Sequence, residues 1–165
     1  MTTDEALSFL RTHQPLPPTS EVSDALLRRF DEVRRLFAET PDERCVTLLL
    51  NAFGQGDGHG VYQLVEDTIL AHDRDTVIAA LRQSLLNRAG SVRYWSAQIA
   101  ANYHAPELVT PLVQILTEGD PDERMAAVTA LEGIQTPDVV AALEMALQRE
   151  RESHVQNLIR EVLGM

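Results

Sequence analysis

Two stretches decide the fold: "SVRYWSAQIAANYHAPELVTPLVQILTEG", from Ser91 to Gly119, and "DERMAAVTALEGIQTPDVVAALEMALQRE", from Asp122 to Glu150. Slid over each other by 31 positions, they place Arg93 on Arg124, Ala97 on Val128 and Tyr103 on Ile134. Pro106 falls on Pro137, Val109 on Val140, Leu112 on Leu143 and Leu116 on Leu147. The same shift puts Val77, Ile78 and Leu81 under Leu108, Val109 and Leu112, and Leu158, Ile159 and Val162 over Ala127, Val128 and Leu131. Self-similarity at a fixed period is the signature of a stacked repeat.

Each unit reads as two short helices. The first carries small apolar residues, Ala97, Ala100 and Ala101, then Ala126, Ala127 and Ala130. Small side chains let neighbouring helices approach closely. The second carries Val109, Leu112, Val113 and Leu116 at i, i+3, i+4 and i+7, one apolar helix face. Asp120-Pro121 and Thr136-Pro137 are N-cap-plus-proline starts, and Pro106 also occupies a first helical position. One such hairpin cannot bury its apolar face alone, whereas stacked neighbours can. Leu81, Ala97, Leu112, Val128 and Leu143 are the expected core.

These residues resemble HEAT repeats, in particular the short type named after phycobilisome lyases. The resemblance rests on "SVRYWSAQIA", "DERMAAVTALEGI", "PELVTPLVQIL" and "PDVVAALEMAL" and covers roughly residues 60 to 165. It implies an all-α, right-handed α-solenoid of stacked helical hairpins, about nine helices in all. Upstream, "SDALLRRFDEVRRLFAE" sets Leu26, Phe30, Val33 and Phe37 on one stripe and pairs with "PDERCVTLLLNAF". Residues 1–19 are expected to form a short helix, capped by Thr2 with Glu5, and an extended connector at "HQPLPP"; residues 20–165 form the solenoid.

Composition agrees. Of the 165 residues, 44% are apolar and only 5% aromatic, so the core is aliphatic. The formal charge is −11, and all 14 basic residues are Arg. That balance repels phosphate backbones, so no nucleic-acid partner is expected. The lone Cys45, inside "CVTLLLNAF", excludes an internal disulfide and a cysteine-based zinc cluster, and reads as a small buried hydrophobe. No apolar run reaches membrane-spanning length and the N-terminus lacks a signal-peptide layout, so the cytoplasm is the expected compartment and no membrane partner is expected.

"NAFGQGDGHGVYQLVED" alternates four glycines, Gly54 to Gly60, with other residues. It is not a P-loop, having no Lys, nor a dinucleotide fingerprint, having neither the spacing nor a preceding strand. Two readings stay open. It is a lengthened turn between repeats with several positive-φ positions, or a mobile loop that carries Asp57, His59 and Tyr62 to a partner. One Asp and one His fall short of a metal site, and no cofactor or catalytic residue is expected. In the resembled family Arg93 and Arg124 would join a polar ladder to acidic residues of the next repeat, with Asp120 or Asp122 as partners. In the HEAT pattern Tyr94 and Trp95 would take positions facing away from the small-residue core. Trp95 either packs on the preceding repeat or anchors an interface.

The resemblance also assigns the second helices to a curved binding face. Here that face carries Arg82, Gln83, Glu107, Thr110, Gln114, Asp138 and Glu144, mostly acidic. The expected function is therefore a non-enzymatic protein-binding scaffold with a basic protein partner, of the kind seen in immunity proteins that sequester a toxin. Asp57, His59, Tyr62, Tyr94, Trp95, Glu107, Gln114 and Glu144 are its candidate contacts. The alternatives are a HEAT-like DNA glycosylase, which needs a basic track absent here, a lyase-type enzyme, or an adaptor subunit of a larger complex. The oligomeric state stays open.

Overall fold

The computed structural model describes residues 1–165. It contains ten α-helices, one more than expected, and no strand. They are α1 (Thr3–Thr12), α2 (Asp24–Glu39), α3 (Arg44–Ala52), α4 (Val61–Leu70), α5 (Arg74–Ser84), α6 (Gly90–Ala100), α7 (Val109–Glu118), α8 (Pro121–Glu132), α9 (Pro137–Arg149) and α10 (Ser153–Val162). Single 3-10 turns at Gly58–Gly60 and Pro106–Leu108 precede α4 and α7.

Helix starts follow local chemistry. Thr2 and Asp120 each form a capping box, with Glu5 and Glu123 respectively. Thr136 accepts from the Val139 N–H ahead of Pro137. These caps satisfy backbone donors that a helix start leaves orphaned.

The helices pack in two rows. Odd-numbered helices form one row: α1 against α3, α3 against α5, and α7 against α9, with the Pro106–Leu108 turn bridging α5 to α7. Even-numbered helices form the other: α2 against α4, and α6 against α8 against α10. Between α4 and α6 the even row is interrupted, and the glycine loop fills that gap. A single hydrophobic core runs from Ala6 to Ile159. Leu81, Ala97, Leu112, Val128 and Leu143 are all buried, as the repeat register requires. Cys45 is buried too, and burial pushes its thiol up to about 12. Its Sγ lies 3.6 Å from His72 Nε2.

The regular junctions combine alanine with an ion pair. Ala97 and Ala100 of α6, and Ala126, Ala127 and Ala130 of α8, are buried. Arg93 donates through Nε to Glu123 at 2.5 Å and through Nη1 to the Asn87 and Arg88 carbonyls. Arg124 repeats the move one unit on, donating through Nε and Nη2 to Glu150 at 2.7 and 2.8 Å and through Nη1 to the Gly119 carbonyl. The ladder is therefore present, but its acids are Glu123 and Glu150, not Asp120 or Asp122. Asp120 is engaged as the α8 N-cap, and Asp122 is exposed.

Candidate acidic groove at the glycine loop

The chain leaving α3 turns under two aromatic rings. Tyr62, the second residue of α4, is fully buried, and Trp95 is only 7% exposed. Phe53 stacks on Trp95 at 5.2 Å between centroids, and Tyr62 meets Phe53, Trp95 and Phe30 edge-on. Large rings fill the gap that alanines close elsewhere in the row. Tyr62 has no surface, which corrects its place among the candidate contacts, and for Trp95 the first of the two alternatives holds: it packs on the preceding repeat.

These rings also hold the loop. The Gly54 N–H donates to the Tyr62 hydroxyl at 3.0 Å, and the Trp95 indole N–H donates to the Gly56 carbonyl at 3.0 Å. Burial raises the Tyr62 hydroxyl pKa above its ordinary value. The proline-rich connector contributes Thr19, whose hydroxyl accepts from the Gly58 N–H and donates to the Gln55 carbonyl. Ser91 donates to the Phe53 carbonyl. Three of the four glycines, Gly56, Gly58 and Gly60, have positive φ, as the turn reading requires. Gly54 is needed for space: a Cβ there would lie 2.5 Å from the Leu16 carbonyl oxygen. The glycines thus have a structural reason that composition alone hid, and the loop is clamped on both sides.

What remains facing solvent is an open groove of about 830 Å³ between the loop, the start of α6 and the start of α8. Asp57, Asp120 and Asp122 are its charged lining residues, with Gln55, Gln63 and the partly exposed Tyr94 beside them. No Arg lines it. Asp57 also accepts from the His59 N–H, which shapes the turn. Tyr94 accepts at its hydroxyl from Gln98 and leaves its ring against Trp95.

The structure brings Asp57, Tyr94 and the edge of Trp95 together and separates the other candidates. His59 takes a left-handed backbone conformation and faces α2, in a shallow groove with Asp24, Arg28 and Asp31. Glu107 and Gln114 line a groove of about 620 Å³ between α5 and α7, with Arg82, Gln83 and Thr110. That groove carries one cation and one carboxylate, so this part of the expected face is mixed rather than acidic. Glu144 lies beyond it, in a different groove past α9. Asp120 and Asp122 are members of the loop groove that were not singled out as contacts. The repeat register could have found them, because the 31-residue shift lays Asp122 on Ser91.

The family model for HEAT repeats matches residues 76–164, more than half of the chain. No curated protein and no solved structure matches it. No helix is long and apolar enough to cross a membrane.

Proposed function

Since the chain belongs to the HEAT-repeat family, whose helical scaffolds serve protein interaction and are typically non-catalytic, we propose that it is a non-enzymatic scaffold for a basic protein partner. The observation that carries this reading is the loop groove, with three exposed carboxylates and no cation among its lining residues. A partner's Arg or Lys would meet Asp57 and Asp122 at the rim and the face of Tyr94 beside them, where cation–π attraction adds to charge. The net charge of −11 would speed encounter with a basic partner and disfavour nucleic acid. Sequestering a basic toxin, as immunity proteins do, is the finer form of this reading, with the same groove as its contact.

Capture from a lysate of the source cell, with identification of what is retained, tests it. The expected result is a basic protein, released by salt and lost with Asp122→Asn. Asp122 is exposed and its side chain makes no hydrogen bond, so the substitution removes only a first-turn carboxylate of α8 and should cost under about 1 kcal/mol of stability. Retention of only acidic or neutral proteins, or undiminished retention by Asp122→Asn, would overturn the reading.

A further inference from the structure

Between α7 and α9, bounded by the start of α8 and the turn from α9 to α10, lies a groove of about 540 Å³. Val113, Leu116, Ala142, Met145 and Ala146 are its apolar lining. Arg124, Arg149 and Arg151 line it as well, with Glu150 and Glu152. Arg124 and Glu150 neutralise each other. Arg149 and Arg151 are exposed and enter no ion pair, which leaves two free cations against the single carboxylate of Glu152.

The repeat register supplies the comparison. A shift of 31 positions lays Val113 on Arg82, Met145 on Gln114, Arg149 on Glu118 and Arg151 on Asp120. Two polar positions have become apolar, and two carboxylates have become guanidinium groups. Leu86, matched by Thr117, runs the other way. Stacking does not demand the change, because the preceding repeat stacks with the polar and acidic set, its Gln114 donating to Glu118 at 3.1 Å. A groove at this place also stays open inside the stack: the counterpart between α5 and α7 is open with α9 and α10 following it. Met145 is 54% exposed, a large apolar side chain kept in water.

We propose that this groove binds a short acidic segment of a partner protein, with one large apolar side chain against Val113 and Met145 and carboxylates on Arg149 and Arg151. In a chain with 25 carboxylates and 14 Arg, carboxylates are the background, and free guanidinium groups beside an exposed methionine run against it. Arg pairs with carboxylates through two parallel hydrogen bonds, and the apolar lining gives such a segment its anchor. The net charge of −11 opposes an acidic ligand at long range, but screening confines that effect to about 8 Å at physiological salt, so contacts in the groove decide. A second copy of the chain is the poorer occupant, since its whole acidic surface would have to approach its like. The groove shares no lining residue with the one at the glycine loop and does not depend on the function proposed for that loop.

Labelled peptides of about 12 residues test this by fluorescence anisotropy on the full chain: one with a central Leu flanked by Asp and Glu, one with the same Leu flanked by Arg and Lys, and one acidic with Ser for Leu. The acidic Leu peptide is expected to bind at least tenfold more tightly than either of the others. Against the basic peptide, this is the reverse of what the net charge alone would give. Arg149→Glu with Arg151→Asp installs what the preceding repeat carries at the same places, and should weaken binding at least tenfold. Arg11→Glu with Arg28→Glu adds the same charge at exposed positions without ion pairs, and should weaken it less than threefold. Met145→Gln, also borrowed from the preceding repeat, changes no charge and should weaken it at least threefold. Equal or tighter binding of the basic peptide would overturn the proposal, as would no binding of any peptide, or equal losses from the two double variants. Unchanged binding by Met145→Gln would overturn it too. Sedimentation showing a dimer that Met145→Gln dissolves would overturn it in favour of a second copy.

Discussion

The junction between α6 and α8 and the junction between α4 and α6 solve the same problem with opposite materials. The first closes on alanines and is tied at its edge by Arg93 and Glu123. The second closes on Phe53, Tyr62 and Trp95 and is tied by a glycine loop whose backbone bonds to ring hydroxyl and indole. Small residues bring helices together and leave no room for an inserted loop. Rings hold helices apart and leave polar atoms at the margin, which bind an inserted loop in place. The acidic groove opens where the two junctions meet, with Asp57 from the loop and Asp120 and Asp122 from the start of α8.

If the rings carry that junction, Trp95→Ala should produce the largest loss of stability. It removes a stacked ring and the bond to Gly56, and should cost roughly 3–5 kcal/mol in denaturant unfolding. Leu112→Ala, in the regular part, should cost about 2–5 kcal/mol, because Leu112 is fully buried. A Leu112 cost under about 1 kcal/mol would contradict the stacking of the regular repeats. Gly54→Ala should be next, at about 1–3 kcal/mol, since its Cβ collides with the backbone of the connector at Leu16 and Pro17. A neutral Gly54→Ala would mean that the connector is free to move away from the loop.

The ion ladder gives a pH-dependent test on the regular side. Glu150 is held below its ordinary value of 4.5, chiefly by its hydrogen bonds from Arg124. A carboxylate lowered in the folded state adds stability above its unfolded pKa and loses it as pH falls through the folded value. Glu150→Gln should therefore cost about 1–2 kcal/mol at pH 7. The gap to the parent chain should close progressively below about pH 4.5. A gap constant down to acid unfolding would show that the ion pair contributes nothing.

The same contrast explains what could be read from the residues. Arg93 and Arg124, the paired prolines and the aliphatic spacing are periodic, so the register placed Leu81, Leu112 and Leu143 in the core without coordinates. The ladder's acids are not legible in the residues because Asp120 is committed to its own helix start, a competition visible only once the cap geometry is known. The α4–α6 junction breaks the period. Nothing local in "NAFGQGDGHG" says that Thr19, 35 or more positions upstream, and Trp95, equally far downstream, will bond to its backbone. The register position of Trp95 faces outward in a regular repeat, so the residues leave its packing open, and Tyr62 reads as part of the loop. Here the neighbouring helix has been displaced and a loop covers both. Of the candidate contacts, Asp57 and Tyr94 share the groove, while His59, Glu107, Gln114 and Glu144 lie on three other surfaces.

The residues that hold the loop, Tyr62, Trp95 and Thr19, are distinct from Asp57 and Asp122, which would use it. The most direct test is capture of the basic partner by Asp122→Lys, with its melting temperature recorded alongside. Asp122 is exposed and its side chain makes no hydrogen bond, but it lies in the first turn of α8, where a cation opposes the helix dipole, so the melting temperature should fall by no more than about 4 °C, as for a change of roughly 1 kcal/mol. Capture should be abolished, because a cation replaces a carboxylate at the rim of the groove. Full capture by a stably folded Asp122→Lys chain would contradict the assignment of this groove to the partner.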